Sequence, residues 1–175
     1  IGLLITPTLQ ADPPHVSYIF PAGGQQGTPV RFHVGGHYLR DVCSFDMLGP
    51  GIEGPAQLKR SERTLWFEGP RIPMPASQAK EDYPREQWGQ LKIDSQAATG
   101  FRRWRVWTSQ GVTPTMKFVV GDLPEIVEQE IDGRPLPQSV SLPVTINGRI
   151  FPREDIDIWT FQAKAGQYYV CEVMA

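Results

Sequence analysis

No stretch longer than about ten residues carries a helical repeat of apolar side chains, and that alone directs the chain toward short strands. Glycine and proline arrive at short, regular intervals, seventeen of each in 175 residues, too often for long helices to survive between them. Between these breaks the pattern is period-2. Val30, Phe32 and Val34 alternate with Arg31 and His33, as in a strand with one buried face. Gly35-Gly36 is expected to end that strand. Further strands are expected over residues 16–20, 41–48, 57–60, 64–68, 90–94, 102–108 and 115–120, with residues 57–68 forming a hairpin around Ser61-Glu62. The hydrophobic content of 40% is enough for a real core and excludes wholesale disorder.

Residues 69–88 break the rhythm. Pro70, Pro73, Pro75 and Pro84 punctuate a stretch that holds the charged run Lys80-Glu81-Asp82, so a long surface loop is expected there. At the N-terminus, residues 1–11 are apolar and end in a small residue before Asp12-Pro13-Pro14. They resemble the tail of a secretory signal peptide processed after Leu9-Gln10-Ala11, an ordinary first strand being the alternative. An exported protein, whether periplasmic, cell-surface or extracellular, is therefore expected. No other apolar run approaches the ~18 residues of a membrane span.

Gly121-Asp122-Leu123-Pro124 marks the expected boundary between two units, 12–121 and 122–175. In the second, residues 138–146, 157–162 and 167–173 read as strands. Asn147-Gly148 reads as a tight turn into residues 149–151, and Ala165-Gly166 as another turn. About four strands are too few to close a sandwich, so this unit is expected to be the opening part of one. Cys43 and Cys171 fall in different units, and two buried free thiols are expected.

Two stretches resemble known families. Pro21-Ala22-Gly23-Gly24-Gln25-Gln26-Gly27, followed by Val30, Phe32, Val34 and Gly36, is similar to the opening of IPT/TIG-type immunoglobulin-like domains. Leu123-Pro124-Glu125 with Glu128 and Glu130, then Leu142-Pro143, Asn147-Gly148 and Ile150, resembles the start of the bacterial pre-peptidase C-terminal domain. So does the alternating run Asp155, Asp157, Trp159, Phe161, Ala163 that ends in Ala165-Gly166-Gln167. The resemblance implies an all-β chain: an immunoglobulin-like β-sandwich, then the first strands of a second, jelly-roll-like β-sandwich. It also implies a non-catalytic binding or spacer module of an exported bacterial protein. The alternative it implies is an accessory region of a secreted hydrolase whose catalytic domain lies outside this chain.

The acidic set Glu128, Glu130, Asp132, Asp155 and Asp157 is the leading candidate site. Calcium takes six to eight oxygens, so carboxylates from two segments must converge, and the resemblance places these two segments together. The family pattern reads Glu-x-Glu-Pro-Asn-Asp, whereas Ile131, Asp132 and Gly133 stand at its last three positions here, one acid short. A solvated acidic surface neutralised by Arg149 or Arg153 is the competing reading. His33 and His37 are separated by Gly35-Gly36 and need not share a face, so no metal role is assigned to them.

In Phe101-Arg102-Arg103-Trp104-Arg105-Val106-Trp107, alternation puts Arg102, Trp104 and Val106 on one face and Arg103, Arg105 and Trp107 on the other. Trp104 and Val106 read as core. Trp107, with Trp88, is a weaker candidate for contacting a ligand. A net charge of -2 gives no field toward nucleic acid, so the expected partners are an extracellular protein or polysaccharide and other domains of the same polypeptide. Gly-x-Ser-x-Gly and His-Glu-x-x-His patterns are absent from the sequence, and no catalytic residue is assigned.

Overall fold

A computed structural model describes residues 12–39, 42–61, 86–129, 136–150 and 156–174. Among them there is no helix, and so none long and apolar enough to cross a membrane. The first ten strands are β1 (His15–Phe20), β2 (Gly23–Gln25), β3 (Pro29–His37), β4 (Cys43–Leu48) and β5 (Ile52–Glu53), then β6 (Gln57–Arg60), β7 (Gln87–Ile93), β8 (Gly100–Thr108), β9 (Gly111–Val112) and β10 (Met116–Gly121). One layer runs β1-β3-β7-β6, with β5 also on β7. The other runs β4-β8-β10-β2, with β9 on β8, and β6 bonds to both β7 and β4 and so joins the layers. All pairs are antiparallel except β2 with β10. First, third, seventh and sixth strands face the fourth, eighth and tenth, which is the four-on-three order of an immunoglobulin-like sandwich.

The layers meet through the side chains that alternation assigns to the inside. Phe32 and Val34 from β3 and Leu91 and Ile93 from β7 pack against Phe45, Trp104, Val106, Phe118 and Val120 from the opposite layer. Phe45 lies at the centre, 4.9 Å from Phe32 and 6.0 Å from Trp104 between ring centroids. Trp104 donates its indole N–H to the Lys117 carbonyl at 3.1 Å, so burial leaves its polar atom bonded. Arg102 shares the inward face but sits at the sandwich end. It donates to the carbonyls of Pro50 at 2.9 Å and Ala98 at 2.8 Å, closing two turns. A guanidinium committed to backbone carbonyls has a structural task.

Gly35-Gly36 does not end β3, which runs on to His37. The two glycines let β1 approach instead. A Cβ at Gly35 would overlap the Tyr18 ring and one at Gly36 the His15 carbonyl oxygen, beside an irregularity in register between Val16 and Tyr18. The expected loop over 69–88 lies largely outside the described residues, as do residues 64–68 and the Ser61-Glu62 hairpin beyond Ser61. Its end is a strand, for β7 begins at Gln87 and includes Trp88.

After Gly121 the described chain forms two small parallel pairs. These are β11 (Glu125–Val127) with β13 (Thr145–Asn147), and β12 (Gln138–Val140) with β14 (Trp159–Phe161). The expected strand over 138–146 is split at Leu142-Pro143, where proline has no N–H for a ladder. Asn147-Gly148 is not a hairpin turn. Asn147 ends β13, and its partner strand is β11. The Ala165-Gly166 turn is present, with Gly166 at φ 82° and Gln167 N–H donating to the Lys164 carbonyl at 3.2 Å. Residues 167–174 form no strand, having no partner strand among the described residues to complete a ladder.

Both cysteines are free, but only Cys43 is buried. Desolvation pushes its thiol up to about 11, which keeps it protonated and unreactive at neutral pH. Cys171 is exposed, contrary to expectation, because the strand that was to bury it does not form.

Candidate functional site

The described members of the acidic set lie beyond β10, beside the β11/β13 pair. Of its five members, Glu128 and Asp157 are described, whereas Glu130, Asp132 and Asp155 lie outside the described residues. Glu128 continues the β11 ladder, its N–H donating to the Asn147 carbonyl at 2.9 Å. Its carboxylate Oε2 accepts the Arg149 N–H at 2.7 Å. Asp157 comes from the segment just before β14. The two carboxylates converge over Gly148, where a Cβ would stand 2.8 Å from Glu128 Oε2 and 3.8 Å from Asp157 Oδ2. Glu128 Oε1 is buried and has no hydrogen-bond partner. Among the described residues no three His, Cys, Asp or Glu side chains converge as a metal site requires. Arg149 places its guanidinium carbon 5.3 Å from the Phe20 ring centroid, a contact between the junction and the end of β1.

Glu125 belongs to this junction although the sequence did not single it out. Its Oε2 accepts a hydrogen bond from Asn147 Nδ2 at 2.8 Å, across the parallel β11/β13 pair. Burial raises its carboxyl above the usual range, and the Asn147 bond offsets that only in part. The folded chain then holds this proton more tightly than the unfolded chain. Its contribution to stability is full at acid pH and is lost as pH rises through the raised folded value. Glu125→Gln stays neutral and can still accept from Asn147. Its melting temperature relative to the parent should therefore be higher at about pH 7 than at about pH 4. An identical difference at both pH values would show that Glu125 titrates normally.

The two candidate tryptophans do not share a surface. Trp88 lies on β7 opposite in facing to Leu91, on the outside of the β1-β3-β7-β6 layer. Its indole is flanked by Arg31, 4.4 Å away, and Lys59, 5.2 Å away. Trp107 is on the outside of the other layer, with Arg103 and Arg105, as the alternation in β8 requires. Arg105 Nε donates to Asp46 Oδ2 at 2.9 Å. His33 Nδ1 lies 3.0 Å from Oε2 of the buried Glu86, whose Oε1 accepts from the Tyr18 hydroxyl at 2.7 Å. That arrangement ties β1, β3 and the start of β7 together. It is a structural set the sequence did not reveal, since Glu86 reads as the end of a loop.

No family model matches the chain, and no curated protein matches it. Among solved structures, one chain found is the BIgI domain of beta protein from S. agalactiae bound to CEACAM1. It is 10% identical, the match covers 61% of this chain and 93% of that one, and the TM-score is 0.29. The immunoglobulin-like fold stands on the strand order and the two-layer core described above.

Proposed function

We propose that this chain is a non-catalytic binding or spacer module of an exported protein, with calcium bound at the acidic junction. The observation that carries the calcium reading is the convergence of Glu128 and Asp157 over Gly148, with Glu128 Oε1 buried and unbonded. The proposed ligand set also includes Glu130, Asp132 and Asp155, which lie outside the described residues. Supporting the module reading is a sandwich whose interior is filled by hydrocarbon and aromatic side chains, leaving its outward faces as the surfaces for contact. The resemblance of residues 122–175 to the pre-peptidase C-terminal family favours export, and it also supports the second reading, an accessory region of a secreted hydrolase.

Calcium at ~10⁻⁴–10⁻³ M affinity, usual for extracellular modules, would stabilise the junction by about 1–2 kcal/mol at millimolar concentration. A thermal melt of the chain in several-millimolar calcium should therefore lie above one in chelator. Glu128→Gln combined with Asp157→Asn should abolish the difference while leaving the chelator melt in place. An unchanged melt of the parent chain in calcium would remove calcium from the proposal.

A further inference from the structure

The outward face of the β4-β8-β10 layer carries side chains that neither the core nor the acidic junction employs. Along β8, Phe101, Arg103, Arg105 and Trp107 all face away from the core, and Phe101 and Trp107 are 51% and 46% exposed. At a strand rise of 3.2–3.4 Å per residue the two rings stand about 20 Å apart, with two guanidinium groups between them. The neighbouring strand adds a third cation, because Lys117 is the direct cross-strand partner of Arg103. Like charges directly opposite one another destabilise a sheet. Neither has a carboxylate partner among the described residues. Arg103 reaches Thr115 Oγ1 at 3.4 Å, and Lys117 Nζ sits 4.9 Å from the Phe101 ring centroid. Arg105, by contrast, is already paired with Asp46.

An anion placed between Arg103 and Lys117 would relieve their repulsion. A carboxylate suits the site, because its two in-plane oxygens match the guanidinium fork of Arg103. The flanking rings offer electron-rich faces to the polarised C–H groups of a sugar ring. β8 is hydrogen-bonded on both sides, to β4 and β10, so an extended peptide cannot add to it as a strand and would meet side chains only. We propose that this face binds a polysaccharide of uronic acids, Phe101 and Trp107 stacking on sugar rings while Arg103 and Lys117 hold carboxylates. This names a ligand class for the binding module proposed above and rests on that reading. Single-stranded nucleic acid uses similar stacking and cations, but the in-plane pair of oxygens that suits the Arg103 fork favours the carboxylate.

The test is affinity electrophoresis of the full chain at low salt, with chelator present so that calcium cannot bridge uronates to the acidic junction. The probes are polygalacturonate, neutral dextran, dextran sulfate and oligothymidine. Polygalacturonate should retard the chain more than the other three. Arg103→Glu and Trp107→Ala should each weaken that retardation about tenfold, given the usual worth of a charge-assisted contact or a stacked ring. Lys59→Glu, on the opposite layer, should leave it unchanged, with all variants melting near the parent. No retardation by polygalacturonate overturns the proposal, and so does equal retardation by oligothymidine or dextran sulfate. If Lys59→Glu weakens binding as Arg103→Glu does, this face is wrong while a binding module stands. Retardation by none of the probes removes the surface and leaves the spacer role, which the calcium melt tests separately.

Discussion

Trp104→Ala is expected to lower the stability of the sandwich by about 3–5 kcal/mol, the usual result of truncating a buried tryptophan. Trp104 is fully buried, and it packs on Phe45 at the point where the two layers meet. Truncation opens a cavity bounded by both sheets, whose strands are tied to their neighbours and cannot collapse freely into it. It also removes the indole N–H from the Lys117 carbonyl, between β8 and β10. A domain of this kind has about 5–15 kcal/mol of stability in all, so the loss is a large fraction of the whole. Trp107→Ala on the same strand is the internal control. Its ring faces solvent, and its removal should change stability by about 0.5 kcal/mol or less. Urea denaturation of the two variants decides the matter. Equal losses would mean that the facing of β8 is wrong, and with it both the core and the proposed ligand surface.

The facing of β8 and β3 was legible in the sequence because one side of each strand is buried and the other is wet. Burial on one face forces the period-2 pattern, and the pattern can be read back without knowing the neighbours. What depends on neighbours was not legible. Gly35-Gly36 reads as a strand end in isolation and becomes a close-approach site only once β1 lies alongside. Trp88 and Trp107 look alike in the sequence, and they lie on opposite outer faces because the strands bearing them belong to different layers. Glu128 and Asp157 were singled out with Glu130, Asp132 and Asp155 because a family resemblance set their two segments together. Glu125 was not, since its raised carboxyl follows from burial at the junction, which the Asn147 bond across the parallel pair offsets only in part. The same pairing explains the misread Asn147-Gly148 signal. A dipeptide that favours a tight turn favours it only when the flanking strands pair with each other, and β13 pairs with β11 instead.

Gly36→Ala is the second substitution expected to have a large effect, about 1–3 kcal/mol or more, as overpacking of a well-filled site does. The new methyl group would meet the His15 carbonyl oxygen and the Val16 Cα, both of them backbone. No rotamer change can clear it, so β1 must move away from β3 and the ladder between them must open. Gly35→Ala differs in kind. There the obstacle is the Tyr18 ring, a side chain that can swing aside. Swinging breaks the Tyr18 hydroxyl bond to Glu86 and leaves that buried carboxylate with one partner fewer. The loss at Gly35 should therefore shrink in a Tyr18→Ala background, where the ring is gone and the methyl group fills part of its space. The loss at Gly36 should persist there in full. Thermal melts of the parent, the three single variants and the two double variants form two double-mutant comparisons. If Tyr18→Ala relieves both glycine substitutions equally, the obstacle at Gly36 is a side chain and β1 is not packed backbone to backbone against β3. If it relieves only Gly35→Ala, the two glycines hold the first strand in place by two separable means, one steric against backbone and one through the tyrosine that reaches Glu86.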